Sequence, residues 1–145
     1  MFDLMWELGV LKACRLRATP IRLRVLHLFN NLERGSHLTI EAISDGLEKY
    51  GQRKSPGSIY RTLKEFEDSE LLIKHNFEGV GTVYESATDQ IHGHVVCLHC
   101  NRIYEYQNAQ IDSLRQELVT SLDAELITHT HNIYIVCKDC RTGRV

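Results

Sequence analysis

The chain has 145 residues, 43% of them hydrophobic and 25% charged, with a formal net charge of −2. These proportions suit one globular domain or two small ones and exclude collagen, a mucin-like stalk and a largely disordered chain. No apolar run approaches the roughly 18–20 residues that span a bilayer, and the opening MFDLMWELGVLKACRLR lacks the basic start of a signal or transit peptide, so a cytoplasmic protein without a membrane partner is expected.

The charge is unevenly placed. Lys12 to Lys64 holds eleven Lys/Arg and four acids, a balance of +7, which leaves −9 for the remainder. A basic half joined to an acidic half suggests a polyanion-binding module coupled to something else, although a solvated charged face would produce part of the same imbalance.

Residues 3–16 set Leu4, Leu8 and Leu11 at helical spacing. A second helix starts with Thr19 as N-cap and Pro20 in the first position, buries Val25, Leu28, Phe29 and Leu32, and stops at Gly35. Thr39 caps a third, with Ile40, Ile43 and Leu47 on one face and Gly51 at its end. Ser55, followed by Pro56, caps a fourth, in which Ile59, Leu63 and Phe66 face inward while Tyr60, Arg61 and Lys64 fall on other faces. The period then changes: LLIKHNF (71–77) and TVYES (82–86) flank Glu78-Gly79-Val80-Gly81 as a hairpin. Three helices followed by a hairpin is the element order of a winged helix-turn-helix, with the fourth helix in the major groove and the hairpin as wing.

A polar stretch near Ala87–Gln90 reads as a linker. Beyond it come strands at His94–Cys97 and Ile103–Tyr106, a helix with Ile111, Leu114, Leu118 and Leu122 on one seam, and a last strand at about Leu126–Val136. The expected fold is α+β, divided into 1–86, a hinge at 87–91, and 92–145. A half of about 55 residues is near the size at which a domain needs a metal or a partner subunit.

Five cysteines in a cytoplasmic chain are not a disulfide framework. Cys97-Leu-His-Cys100 and Cys137-Lys-Asp-Cys140 are two CxxC pairs, and four thiolates suit a closed tetrahedral zinc site. The 36 residues between the pairs exceed the usual zinc-ribbon spacing, so a helix and a strand lie inside the loop the metal closes. Separate redox pairs are the weaker reading, because no βαβ pattern adjoins either CxxC; unpaired buried thiols are the third. Cys14, among apolar neighbours, reads as a core residue.

His92 and His94 alternate onto one face of a strand. An HxH is commonly just a pair of surface histidines, but this one stands directly before Cys97, with His37, Glu85 and Glu105 as further donors near the hinge. Imidazole with carboxylate suits iron(II), manganese(II), zinc or cobalt. His129 and His131 also read as sharing a strand face, His27 and His75 as structural or surface, and His99 as exposed.

The segments GSIYRTLKEFEDSELLIKHNFEG (57–79), VYE (83–85), HGHVVCLHC (92–100) and NIYIVCKDC (132–140) carry a resemblance to the ferric uptake regulator family of bacterial metal-dependent repressors, running from about Leu16 to Cys140. The resemblance implies a homodimer, with a tetramer as the larger alternative, built from an N-terminal winged-helix DNA-binding domain and a C-terminal α/β dimerisation domain. It implies a regulatory metal held by His37, Glu85, His92, His94 and Glu105, structural zinc at the four cysteines, and binding of the metallated dimer to a palindromic double-stranded DNA operator of metal-uptake genes. Tyr60 and Arg61 match positions that touch bases and Arg17 a position that reaches the backbone or minor groove; a helix–helix contact is the plainer role for Tyr60. The absence of a spare cysteine near the regulatory donors, glutamates rather than aspartates at 85 and 105, and the wing sequence HNFEG favour iron(II) over the zinc- and peroxide-sensing branches, with manganese(II) or zinc able to substitute in vitro.

Two departures stand out. The family's HHDH is Ile91-His92-Gly93-His94 here, which removes two ligands of a second C-terminal site and leaves Asp112 and His129 at its other positions. His131 replaces a usually apolar residue. An enzyme, either a metallohydrolase at the histidines or a thiol oxidoreductase at the CxxC pairs, is not expected, since no obvious nucleophile or phosphate cradle is present.

Overall fold

The computed structural model describes residues 4–51, 55–87 and 92–144. The expected linker therefore falls, from residue 88 onward and including Ile91, outside the described residues. The chain forms two compact units, Met1–Phe77 with Gly81–Asp89 and Glu78–Val80 with Gln90–Val145.

The first unit contains α1 (Met5–Ala13), α2 (Pro20–Asn30), α3 (Ile40–Lys49), α4 (Pro56–Asp68) and an antiparallel hairpin of β1 (Leu72–Phe77) and β2 (Gly81–Ser86). Thr39 and Ser55 cap α3 and α4 by accepting from the backbone N–H groups of Ala42 and Ser58. Gly79 and Gly81, at φ 75° and 96°, supply the left-handed conformations that the hairpin turn needs. Val25, Leu26, Phe29, Ile43, Leu47, Ile59, Leu63, Phe66, Leu72 and Tyr84 join Leu11 in one core. Leu38 and Tyr84 exchange backbone hydrogen bonds of 2.9 and 2.8 Å, which sets the residue after His37 beside the strand that carries Glu85.

Three sequence expectations change in this unit. On α1 the buried positions are Leu11 and Glu7 (1% exposed), while Leu8 is 41% exposed. The helix is turned by a polar contact, because Glu7 Oε1 pairs with His27 Nδ1 on α2 at 2.9 Å. On α2 Leu26 takes the buried place expected of Leu28 and Leu32, which are only partly buried. That helix also ends at Asn30, before Gly35, and Thr19 precedes Pro20 without a side-chain capping bond.

The second unit is a three-stranded sheet ordered β4-β3-β5, with β3 (Gly93–Cys97) in the middle. β4 (Ile103–Tyr106) pairs antiparallel to it and β5 (Asn132–Ile135) parallel, with α5 (Ala109–Ser121) between them in sequence and α6 (Lys138–Arg141) at the end. Asn108 caps α5 by accepting from the N–H groups of Gln110 and Ile111. The last strand is shorter than expected, so His129 and His131 precede it and do not share a strand face. β5 pairs with β3 from His94↔Asn132 to Cys97↔Ile135. Leu114, Leu118 and Leu122 form the expected seam but are 65%, 62% and 69% exposed in the single chain. No described helix is long and apolar enough to cross a membrane.

Replacing Glu7 by Ala removes its ion pair with the part-buried His27 and is expected to cost about 1–3 kcal/mol. The measurement is urea unfolding followed by the fluorescence of Trp6, the chain's single tryptophan; an unchanged midpoint would show that the Glu7–His27 pair does not hold α1.

Candidate metal centres and nucleic-acid interface

The four paired cysteines converge in the second unit. Cys97 ends β3, Cys100 follows in the next turn, Cys137 is the residue before α6 and Cys140 lies within it. All four sulfurs stand within 4.8 Å of one another, and the Cys97–Cys140 and Cys100–Cys137 distances are both 3.8 Å. Sulfurs bound tetrahedrally to zinc at about 2.3 Å are about 3.8 Å apart, so the donors fit zinc in number, chemistry and spacing. Backbone N–H groups of Cys137, Cys100 and His99 point at the Cys97 sulfur and hold its thiol down at about 6, whereas burial pushes the Cys140 thiol up. Cys14, at the end of α1 and half-buried, stands apart as a free thiol.

Each unit also carries nitrogen and oxygen donors. In the first, His37 Nε2 lies 2.9 Å from Glu85 Oε2, both side chains almost fully buried, and His75 Nε2 lies 2.8 Å from Glu85 Oε1. His75 stacks parallel on Phe77 with ring centroids 5.4 Å apart. In the second, His92 Nε2 is 3.1 Å from His94 Nε2 and 3.4 Å from Glu105 Oε1. Register explains the latter set: His94 sits directly opposite Glu105, and His92 lies two residues before His94. Ligand atoms about 2.1 Å from one ion and 90–109° apart stand about 3.0–3.4 Å from each other. The pairs within each unit fall at or close to that spacing.

His75 is the residue whose role the sequence reading missed. The hairpin register sets Ile73 opposite Glu85 and His75 opposite Val83, so His75 is the diagonal neighbour of Glu85 on the same face. Once the hairpin was paired, that diagonal was available as a signal.

On α4, Ile59, Leu63 and Phe66 are buried, Tyr60 is 55% exposed, and Arg61 and Lys64 are exposed. The helix–helix role for Tyr60 is therefore set aside. Arg22 on α2 pairs with Glu65 on α4 at 2.7 Å and donates to the carbonyl of Arg17 at 2.7 Å, fixing the backbone at that exposed arginine. Asp112 and His129 line one small cleft together with Tyr106 and His131, but Asp112 is paired with Arg115 at 2.9 Å.

The chain matches the model of the Ferric uptake regulator family over residues 13–140. The Ferric uptake regulation protein of Legionella pneumophila is 31% identical over 137 residues, 94% of this chain and all of that one. Among solved structures, the Helicobacter pylori ferric uptake regulator, described as having three functional metal binding sites, aligns with a TM-score of 0.84 at 27% identity over 97% of this chain and 95% of its own. The Francisella tularensis regulator, solved with iron, aligns with a TM-score of 0.81 at 29% identity over 87% and 95%.

Zinc requires the thiolate form of each ligand and releases protons as it binds. With Cys97 held at about 6 and Cys140 raised, more than one proton must leave, so zinc affinity is expected to climb more than ten-fold per pH unit between about pH 6.5 and 8. Competition with a chelator measures this, and a flat profile would refute the four-thiolate site. Cys137→Ser is expected to lose both bound zinc and the protease resistance of the second unit.

Proposed function

The chain belongs to the ferric uptake regulator family, a family of metal-responsive transcriptional regulators, and from that premise we propose that it is a dimeric, iron(II)-activated repressor acting on palindromic operators of metal-uptake genes. The observation that carries this reading is the pair of sulfur-free donor sets, His37 with Glu85 and His92 with His94 and Glu105, beside a separate cluster that claims four of the five cysteines. Imidazole and carboxylate ligands suit iron(II) and manganese(II), while thiolates would favour softer or more tightly held ions. The iron in the Francisella tularensis relative supports the same choice.

In this reading residues 1–86 bind DNA, 87–91 form the hinge and 92–145 dimerise. A single regulatory ion takes all five ligands, two from the DNA-binding half and three from the other. When bound, it would supply a cross-link between the two halves. A ligand shifts a conformational equilibrium only by its differential affinity for the two states, so the ion must bind the DNA-competent arrangement more tightly. Linkage then requires operator DNA to tighten metal binding by the same factor. Asp112 and His129, with two ligands, make at most a weak second site.

Tyr60 and Arg61 enter the major groove from α4. An arginine can hold guanine O6 and N7 bidentately, and a tyrosine ring can pack on thymine methyls; Arg17 reaches the phosphate backbone or minor groove. Homodimerisation covers the exposed strip of Leu114, Leu118 and Leu122 on α5. A patch of that kind on a small unit calls for a partner surface.

Arg61→Ala is expected to lose about 1–3 kcal/mol on the operator and much less on random DNA, measured by fluorescence anisotropy. Equal losses on both would make Arg61 a phosphate contact. His37→Ala is expected to weaken metal-dependent operator binding while leaving zinc content and the dimer intact. Anaerobic titration of iron(II) and manganese(II) with and without operator tests this; metal affinity indifferent to DNA in the unaltered protein would overturn the hinge-site mechanism.

A further inference from the structure

One row of residues across the second sheet is not explained by the ligands themselves. Tyr106 on β4 is the register partner of Gly93 on β3, and His131 is one step ahead of the His94↔Asn132 pair on the β5 side. The hydroxyl end of the Tyr106 ring lies against Gly93. A Cβ added at residue 93 would stand 2.3 Å from Cζ and 2.6 Å from the hydroxyl oxygen. That hydroxyl continues past the middle strand to a 2.6 Å hydrogen bond with His131 Nδ1, the two rings meeting edge-on at 73°. The main chain of His131 closes the loop, since its carbonyl accepts the N–H of His94 at 3.0 Å. Tyr106 on β4 and His131, just before β5, thus clasp the opening of β3, and glycine at 93 is the residue that lets the ring cross.

Gly93 lies between His92 and His94. Strand alternation sends the His94 side chain to the face opposite any side chain at 93, and the His92 and His94 imidazoles meet each other at 3.1 Å. The clasp therefore grips the reverse side of the backbone that aims both imidazoles. Groups that orient ligands without touching the metal commonly change affinity by about 10–100-fold when removed.

We propose that the Tyr106–His131 clasp over Gly93 is a positioning device for the regulatory metal, holding His92 and His94 in their converging arrangement before an ion arrives. This rests on the regulatory-site reading given above. Tyr106 and His131 are positioning residues, since neither is a ligand in that reading.

The test uses the full-length, zinc-loaded protein with manganese(II) as probe, its free and bound forms followed by electron paramagnetic resonance. Tyr106→Phe keeps the ring over Gly93 and removes only the hydroxyl, and His131→Leu removes its hydrogen-bond partner. Each is expected to weaken manganese(II) binding roughly ten-fold and to alter the spectrum of the bound ion, with zinc content and the urea midpoint unchanged. The double variant is expected to be no weaker than either single one, because the two groups form one contact. His131→Gln, whose amide can still pair with the hydroxyl, should recover most of the affinity, and Gly93→Ala should lose it with the hydroxyl intact. Unaltered affinity and spectrum in Tyr106→Phe would overturn the proposal, as would a loss that follows falling zinc content or stability. Tyr106→Phe decides alone if His131→Leu does not fold. His94→Ala separates the two levels: full manganese(II) binding by that variant would overturn the regulatory site itself, whereas its loss beside a silent Tyr106→Phe would overturn only the clasp.

Discussion

Four sulfur atoms gathered within 4.8 Å of one another do for the second unit what a hydrophobic core does for the first. The first unit gathers its core from all four helices and both hairpin strands. In the second, the only buried apolar side chains among the described residues are Val96, Cys97 and Cys137, and α5 buries none. A sheet of three short strands with so little apolar cover does not hold itself closed against chain entropy. One cation between the end of β3 and the start of α6 closes the loop that contains β4, α5 and β5. The strand so anchored also carries His94, three residues before Cys97, so the placement of that buried imidazole depends on the zinc-sized cluster at the other end of β3.

The first unit solves a different problem at Glu85, a carboxylate that is almost fully buried. A buried charge is tolerated only when its lone pairs are met. Here one oxygen faces His37 and the other His75, which is itself held against Phe77. The carboxylate is thereby fixed in place, with one oxygen toward a metal-binding type of side chain and one toward a group that stays behind. The bridge between Leu38 and Tyr84 contributes to the same end by tying the main chain beside His37 to the strand of Glu85.

Much of this was legible in the residues. Ser55-Pro56 and Thr39 mark helix starts by the chemistry of their side chains, and the glycines at 79 and 81 mark a turn because other residues avoid those backbone angles. The CxxC pairs announced the cluster through spacing alone. What the sequence reading missed depended on partners distant in the chain. The rotation of α1 is decided by Glu7 meeting His27 twenty residues later, against the apparent leucine stripe. The last strand pairs only from Asn132 to Ile135, a register set by β3 across the sheet. His75 gained its role from a diagonal in the hairpin, and His131 from a tyrosine 25 residues earlier. Both are histidines whose surroundings in sequence say nothing about the atom they will meet.

The tyrosine ring laid over Gly93 also constrains the order in which this protein can change. Any larger residue at 93 collides with the ring while Tyr106 remains. A smaller residue at 106 would leave the glycine uncovered and take away the partner of His131. The three positions therefore form an epistatic set, in which the tolerated first step is a reduction at 106 and enlargement at 93 becomes accessible only afterward. Relatives that carry a side chain at the position of Gly93 should lack a bulky ring at that of Tyr106 in this orientation, and their divergence from this chain should pass through intermediates that hold the strand by some other contact.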